Sequence, residues 1–206
     1  MLKNIVFDMG GVLLRYEPLY FIQRAGITGK QEIDLLMENV FLSQNWKRQD
    51  LGEIYEQQTY EDCIRILPPH LHDVAHDLIF SWFEPMEAIQ GMEELISSLK
   101  EKNYHIYLLS NASKLQPQYW NKVPGHQYFD GMVISALEHC VKPSQRIYQI
   151  LLERYHLNPE ECLFIDDMKA NIEAARQIGM DGFLFENNVD KLKQYITEKE
   201  KENADK

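Results

Sequence analysis

The sequence predicts an α/β protein: a doubly wound parallel sheet carrying a small all-helical insertion. Three observations predict it. Short apolar runs of strand length recur and end in polar residues: Ile5-Val6-Phe7 before Asp8, Ile106-Tyr107-Leu108-Leu109 before Ser110, and Leu163-Phe164-Ile165 before Asp166. Strands of a parallel sheet are buried on both faces, so they read as unbroken apolar runs rather than as alternation. From Glu87 onward such runs alternate with apolar residues at helical spacing, the order of βα units. From about Glu17 to Met86 only helical spacing is seen.

Each element follows in order. After the first strand, Gly10 and Gly11 let the backbone turn sharply and let a ligand come close. Arg15 to Gly29 reads as a connection with Pro18 inside it. Ile33, Leu36, Met37 and Val40 predict one helix. Ile54, Cys63, Ile64 and Leu67 predict a second, closed by Pro68-Pro69. Leu71, Val74, Ala75, Leu78, Ile79 and Trp82 predict a third. The helix face Ile89, Met92, Leu95, Ile96, Leu99 precedes the second strand, and Met132-Val133-Ile134 is the third. Ser144 is placed to cap a helix carrying Ile147, Tyr148, Leu151 and Tyr155. The turn Asn158-Pro159-Glu160 leads to the fourth strand, and Ile172, Ala175 and Ile178 mark a helix closed by Gly179. Phe183-Leu184-Phe185 is a last strand, followed by a helix with Leu192, Tyr195 and Ile196 and a frayed polar tail from Thr197 to Lys206. The domain division is therefore a core of residues 1–15 and 87–200 and a helical cap of residues 16–86.

Composition narrows the function. The 206 residues are 45% hydrophobic and 26% charged, ordinary for a globular protein. The net charge of -11 lacks the basic footprint of a nucleic-acid binder; it mainly implies solubility and leaves ligands that a cation can find. An anionic substrate then needs a metal or local Lys or Arg. Cys63, Cys140 and Cys162 form neither a close-spaced metal pattern nor a disulfide framework. No apolar run spans a bilayer, and the first apolar run is too short for a signal peptide, so a cytoplasmic protein without membrane contact is expected.

In a doubly wound sheet, residues just past the strands converge on one rim, where ligands bind. Here those positions, or the loops after them, carry Asp8, Ser110, Lys142 and the pair Asp166-Asp167. Carboxylates gathered on one rim repel one another unless a cation joins them. Oxygen ligands without His or Cys select Mg²⁺, which binds phosphate oxygens. A carboxylate can then act as nucleophile towards a phosphoryl group, while a Lys and a hydroxyl hold its oxygens. His72 and His76 share a helix face without a third ligand and read as a solvated surface. Trp46, Trp82 and Phe83 read as packing residues. Arg15, Trp46 and Arg48 are candidates to face a ligand from the cap, and Lys114 to reach a phosphate, beside plainer surface or packing roles.

These residues resemble the four motifs of the haloacid dehalogenase superfamily. They stand here as Phe7-Asp8-Met9-Gly10-Gly11-Val12, Leu108-Leu109-Ser110-Asn111, Lys142-Pro143, and Phe164-Ile165-Asp166-Asp167 with Asn171 following. The insertion resembles the family's C1 cap, and the fold implied is the Rossmann-like core of that family. The resemblance implies Asp8 as nucleophile and Lys142 as the residue neutralising charge on nucleophile and phosphate. Ser110 and Asn111, with Lys142, would bind the substrate phosphate. Asp8, the backbone carbonyl of Gly10, Asp166 and Asp167 would hold Mg²⁺. The motif wording is similar to the branch of glucose-1-phosphate phosphatases and the phosphatase domain of epoxide hydrolase. The activity implied is magnesium-dependent hydrolysis of a small phosphorylated metabolite, such as a sugar phosphate, through an aspartyl-phosphate, by a monomer or homodimer.

One position departs from the usual pattern. Most phosphatases of the superfamily carry a second Asp two residues after the nucleophile, as acid and base; here it is Gly10. Water or another residue takes over that role, or the leaving group needs little help, or the protein binds phosphorylated ligands without turning them over. A 2-haloacid dehalogenase using Asp8 is a further reading, which the paired acids Asp166 and Asp167 oppose.

Overall fold

The computed structural model describes residues 1–204. Strand β1 (Asn4–Phe7) leads into five helices: α1 (Pro18–Arg24), α2 (Lys30–Leu36), α3 (Gln44–Asp50), α4 (Glu56–Cys63) and α5 (His72–Phe80). A one-turn π-helix, Met37–Phe41, extends α2. Then follow α6 (Met92–Glu101), β2 (His105–Ser110), β3 (Gly131–Ile134), the single turn α7 (Ser135–Glu138) and α8 (Gln145–Tyr155). The chain closes with β4 (Cys162–Asp166), α9 (Lys169–Gln177), β5 (Asp181–Leu184) and α10 (Val189–Ala204).

The five strands pair in parallel in the order β3-β2-β1-β4-β5. β1 is central, and the order reverses there: the chain first builds outward through β2 and β3, then returns to the other side with β4. Such a switch point opens a crevice beyond the strand ends. Register brings the key acids together, because Phe7 pairs with Ile165 and the amide of Asp8 bonds to the Ile165 carbonyl at 2.9 Å. Asp8 and Asp166 therefore leave adjacent strands side by side.

Both faces of the sheet are buried, which explains the unbroken apolar runs. Ile5 and Phe7 enter the core shared with α6 and the cap, while Val6 points into the core under α8 and α9. The cap joins the core through a paired crossing: Arg15 N–H bonds to the Glu87 carbonyl at 2.8 Å and Ile89 N–H to the Leu13 carbonyl at 2.9 Å. Among the described residues no helix is long and apolar enough to cross a membrane.

Three expectations need correction. Arg15–Gly29 is not merely a connection: Pro18 sits in the first turn of α1, where its fixed φ and missing N–H cost nothing, and Phe21 and Ile22 are buried. Ser144 occupies the cap position of α8, but its side chain makes no capping hydrogen bond. The tail is helical through Ala204 rather than frayed from Thr197, with residues 205–206 outside the described part. Tertiary contacts hold it: Leu192 and Ile196 are buried, Tyr195 donates to Asp181 at 2.9 Å, and Glu200 accepts from Lys102 and Tyr104.

Candidate active site

The site begins at the end of β1. The Met9 carbonyl accepts amide hydrogen bonds from Val12, Leu13 and Leu14, which ties the turn into a compact knot. The Gly10 carbonyl accepts none among the described residues and stays open to a ligand. Gly11 has φ +76°, and a Cβ there would run into the Asp167 carboxylate. Glycine at 11 thus serves both the left-handed turn and the close approach of a second acidic loop.

Lys142 is the electrostatic centre. Its Nζ lies 2.7 Å from Asp8 Oδ1 and 2.7 Å from Asp166 Oδ2, with its side chain only 1% exposed. Burial opposes its charge, but the two acids outweigh burial and hold its pKa above the ordinary lysine value. Burial pushes Asp8 up to about 7, with Lys142 pulling it down and Asp166 adding to the rise. Asp166 is held on both oxygens: Asn171 donates to each, at 3.0 and 3.1 Å, and the Met168 amide donates to Oδ1 at 2.8 Å. Asp8 Oδ1 also accepts from the Met9 amide at 2.7 Å, while Oδ2 has no partner among the described residues. A carboxylate anchored through one oxygen and free at the other is posed as a nucleophile or a metal ligand.

Asp8, Asp166 and Asp167 each offer an oxygen within 4.8 Å of the others. Three carboxylates against one lysine leave two negative charges, and every donor is a hard oxygen. That set fits a divalent cation of the Mg²⁺ type, with the Gly10 carbonyl as a further ligand. Asp167 is the freest donor, since Asp166 is already committed to Lys142, Asn171 and Met168.

Ser110 is nearly buried at the end of β2, and its hydroxyl has no protein hydrogen bond among the described residues. Asn111 does something the motif alone does not reveal. Its Oδ1 accepts the Lys142 amide at 2.8 Å and its Nδ2 donates to the Lys142 carbonyl at 3.1 Å. Both polar atoms of its side chain are bonded to the backbone that carries Lys142.

A cavity of about 260 Å³ lies above these groups. Its floor includes Asp8, Gly10, Ser110, Asn111, Lys142 and Asp167, and its roof is Trp46, Gln49, Asp50, Glu56 and Trp82 from the cap. Trp46, Gln49 and Asp50 fall at i, i+3 and i+4 on α3, so one helix face supplies all three. Arg48 is off that face and pairs with Glu53, and Arg15 pairs with Glu17. Lys114 bonds the Gly52 carbonyl at 3.0 Å and lies over the Tyr55 ring. His72 bonds the Leu67 carbonyl, and His76 packs on Tyr60 and Phe80. A larger, more open depression of about 880 Å³ runs along Arg15–Glu17, Glu87–Gly91 and Asn187–Lys193, away from the acidic cluster.

Sequence reasoning missed Gln49, Asp50 and Glu56. The available signal was helical phase, since Trp46 carries Gln49 and Asp50 with it once α3 is a helix. Gln49 Nε2 and Glu56 Oε1 are buried without a protein partner, as are Thr59 Oγ1 and Gln116 Nε2.

The model of one family, described as haloacid dehalogenase-like hydrolase, matches residues 2–179. This chain belongs to the haloacid dehalogenase-like hydrolases. Two similar proteins are phosphatases by name. The D-ribitol-5-phosphate phosphatase of Bacteroides thetaiotaomicron is 26% identical over 203 residues, covering 92% of this chain and 95% of that protein. The phosphorylated carbohydrates phosphatase of Thermotoga maritima is 26% identical over 184 residues, covering 87% and 83%. A crystal structure of an HAD family enzyme of B. thetaiotaomicron, in complex with magnesium and inorganic phosphate, superposes with a TM-score of 0.65. Its identity is 23%, and the match covers 89% of this chain and 93% of that one. The last likeness bears on fold alone.

Proposed function

We propose that this hydrolase is a magnesium-dependent phosphomonoesterase acting on a small polyhydroxylated phosphate ester, through an aspartyl-phosphate on Asp8. The observation that carries the reading is Asp8 itself. It is anchored on Oδ1 by Lys142 and Met9, free on Oδ2, and lines the cavity between core and cap. Oδ2 attacks phosphorus, the bond to the ester oxygen breaks, and water later releases phosphate from Asp8. Lys142 and the unpaired Ser110 hydroxyl are placed to hold phosphoryl oxygens. Asp8, the Gly10 carbonyl and Asp167 would hold Mg²⁺, which would supply positive charge to screen the repulsion between carboxylate and phosphate. Asp166 and Asn111 keep Lys142 in place.

The substrate class follows from the roof and from the relatives. A cavity of about 260 Å³ suits a small metabolite, below the range usual for drug-sized ligands. Gln49 Nε2 and Glu56 Oε1 offer a donor and an acceptor for hydroxyl groups, and an unpaired buried polar atom is costly until a ligand or water meets it. Both named phosphatase relatives act on phosphorylated carbohydrates or polyols by name.

A panel of sugar and polyol phosphates with Mg²⁺ tests the reading. Phosphate release is expected to fall by on the order of 10²-fold or more with chelator and to return with added Mg²⁺. No release from any ester, with phosphate-analogue binding intact, would leave a binding protein. Halide release from 2-haloacids that survives chelator would instead make it a dehalogenase.

A second prediction isolates the metal site. Gly11→Ala forces a side chain into the Asp167 carboxylate and strains a left-handed residue. Mg²⁺ affinity by calorimetry is expected to weaken roughly 10–100-fold, as when the support of a metal site is disturbed. Stability is expected to fall by about 1–2 kcal/mol. Unchanged Mg²⁺ affinity would remove Asp167 from the ligand set.

A further inference from the structure

With glycine at position 10, no side chain there can protonate the departing oxygen. We infer that Asp50 of the cap is the general acid and base of this hydrolase, acting on the reacting oxygens from the roof of the cavity. The inference rests on the phosphatase reading above.

Placement is the first argument. Asp50 lines the same cavity as Asp8, at the last residue of α3. Its carboxyl makes no hydrogen bond or ion pair among the described residues, so it is uncommitted. The core clamps the backbone that carries it. The Asp50 carbonyl accepts from Ser135 Oγ at 2.6 Å, the Leu51 carbonyl is met by His139 Nδ1 at 3.1 Å, and the Gly52 carbonyl accepts from Lys114 Nζ at 3.0 Å. Gly52 has φ +69°, and a Cβ there would strike the Ala136 carbonyl, so the chain presses directly on the core. Three consecutive carbonyls held by core residues fix the end of α3 over the site. That is the preorganisation an acid catalyst needs.

Environment is the second argument. Burial raises the Asp50 carboxyl to about 7; Lys142 lowers it, while Asp8 and Glu56 raise it further. The C-terminal end of a helix also disfavours a negative charge. The groups around it are Lys142, Asp8 and Glu56, with Tyr16 and Tyr119, whose own ionisation Asp50 opposes. A carboxyl that is neutral near pH 7 can donate, then accept, within one cycle.

The proton count closes. As Asp8 Oδ2 bonds to phosphorus, the bond from phosphorus to the ester oxygen breaks and its electron pair stays on that oxygen. The Asp50 proton passes to it and the alcohol leaves. Asp50, now a carboxylate, takes a proton from water as that water attacks phosphorus. The bond to Asp8 breaks, phosphate departs, and Asp50 is again protonated.

The experiment compares Asp50→Asn with the wild type, both loaded with Mg²⁺, in single-turnover release of alcohol from two esters. One is p-nitrophenyl phosphate, whose leaving group needs no proton. The other is the best alkyl phosphate of the panel. The variant is expected to lose on the order of 10²–10⁴-fold on the alkyl ester. On the nitrophenyl ester it should change little in the first turnover, then stall after one nitrophenolate per site because water is no longer activated. An alkyl loss at least tenfold greater than the nitrophenyl loss supports the assignment, and any smaller ratio overturns it. The wild type gives a check free of mutation: its alkyl-ester rate should fall above about pH 7 while its nitrophenyl first turnover does not, and parallel profiles overturn the role. If the wild type hydrolyses nitrophenyl but no alkyl phosphate, the assignment fails and the phosphatase reading stands. If it hydrolyses neither, both fail.

Discussion

Asp8→Asn is expected to fold normally and to lose phosphate release by roughly 10⁴-fold or more, the scale seen when a covalent nucleophile is removed. The fold should survive for a local reason. The amide oxygen of Asn can still accept the Met9 N–H now held by Asp8 Oδ1, and Lys142 keeps its bond to Asp166. The buried knot around the Met9 carbonyl does not involve the Asp8 side chain at all. Thermal melting should therefore change by about 1 kcal/mol or less, typical of a near-isosteric change that leaves hydrogen bonds made. In the wild type, acid quench during turnover should trap phosphate on the protein, and the variant should trap none. Turnover by the variant within tenfold of wild type would remove the covalent route and with it the central claim.

Lys142→Met is expected to be damaging in two separate ways. Lys142 is the one cation in contact with Asp8 and Asp166 among the described residues. Removing it leaves two buried acids facing each other, and breaking a buried pair from one side costs about 3–5 kcal/mol. In a chain of this length that corresponds to a melting point lower by roughly 6–20 °C. The deficit should widen with pH. Asp8 is already raised to about 7 with the lysine present, and losing that attraction raises it further. Below that value the acid takes a proton and the penalty is relieved; above it the folded state must carry the charge. Catalysis should fall by about 10³-fold, the usual scale for losing a charged group that stabilises the transition state. Melting curves at two pH values and single-turnover rates separate the two effects. An unchanged melting point would mean that the triad contributes nothing to the fold.

The elements read correctly were those whose residues face a packed interior. β1, β2 and β4 are buried on both sides, and burial writes an unbroken apolar run into the sequence. α6 and α8 bury one stripe each and show it at helical spacing. α3 shows no such stripe, because the face it turns inward looks into the cavity. Trp46, Gln49 and Asp50 mix an aromatic, an amide and an acid, and apolar periodicity is blind to that mixture. α1 was hidden by Pro18, which breaks a helix interior but is welcome in its first turn. The tail looked unstructured because its polar residues find partners in other elements, as Glu200 does with Lys102 and Tyr104.

Asn111 and Asp50 show the same division within the site. The resemblance to the family implied Asn111 beside the phosphate, yet both its polar atoms bond the backbone of Lys142. Asp50 carried no motif, yet it lines the same cavity as Asp8, and Ser135, His139 and Lys114 fasten the end of α3 to the core.

The order of strands, helices and polar strand ends by itself determined the sheet and the acids and lysine that gather at its rim, and the motif wording carried the resemblance to the family. Such information is local: a parallel strand advertises its burial, and residues at strand ends must share a rim. The tertiary structure alone decided which oxygen of Asp8 stays free, which acid is already committed, and which cap residues line the cavity with them. Those choices turn in large part on contacts between separate elements, as Lys142 makes with Asp8 and Asp166 and Ser135 with the Asp50 carbonyl, and no local pattern in the chain records them.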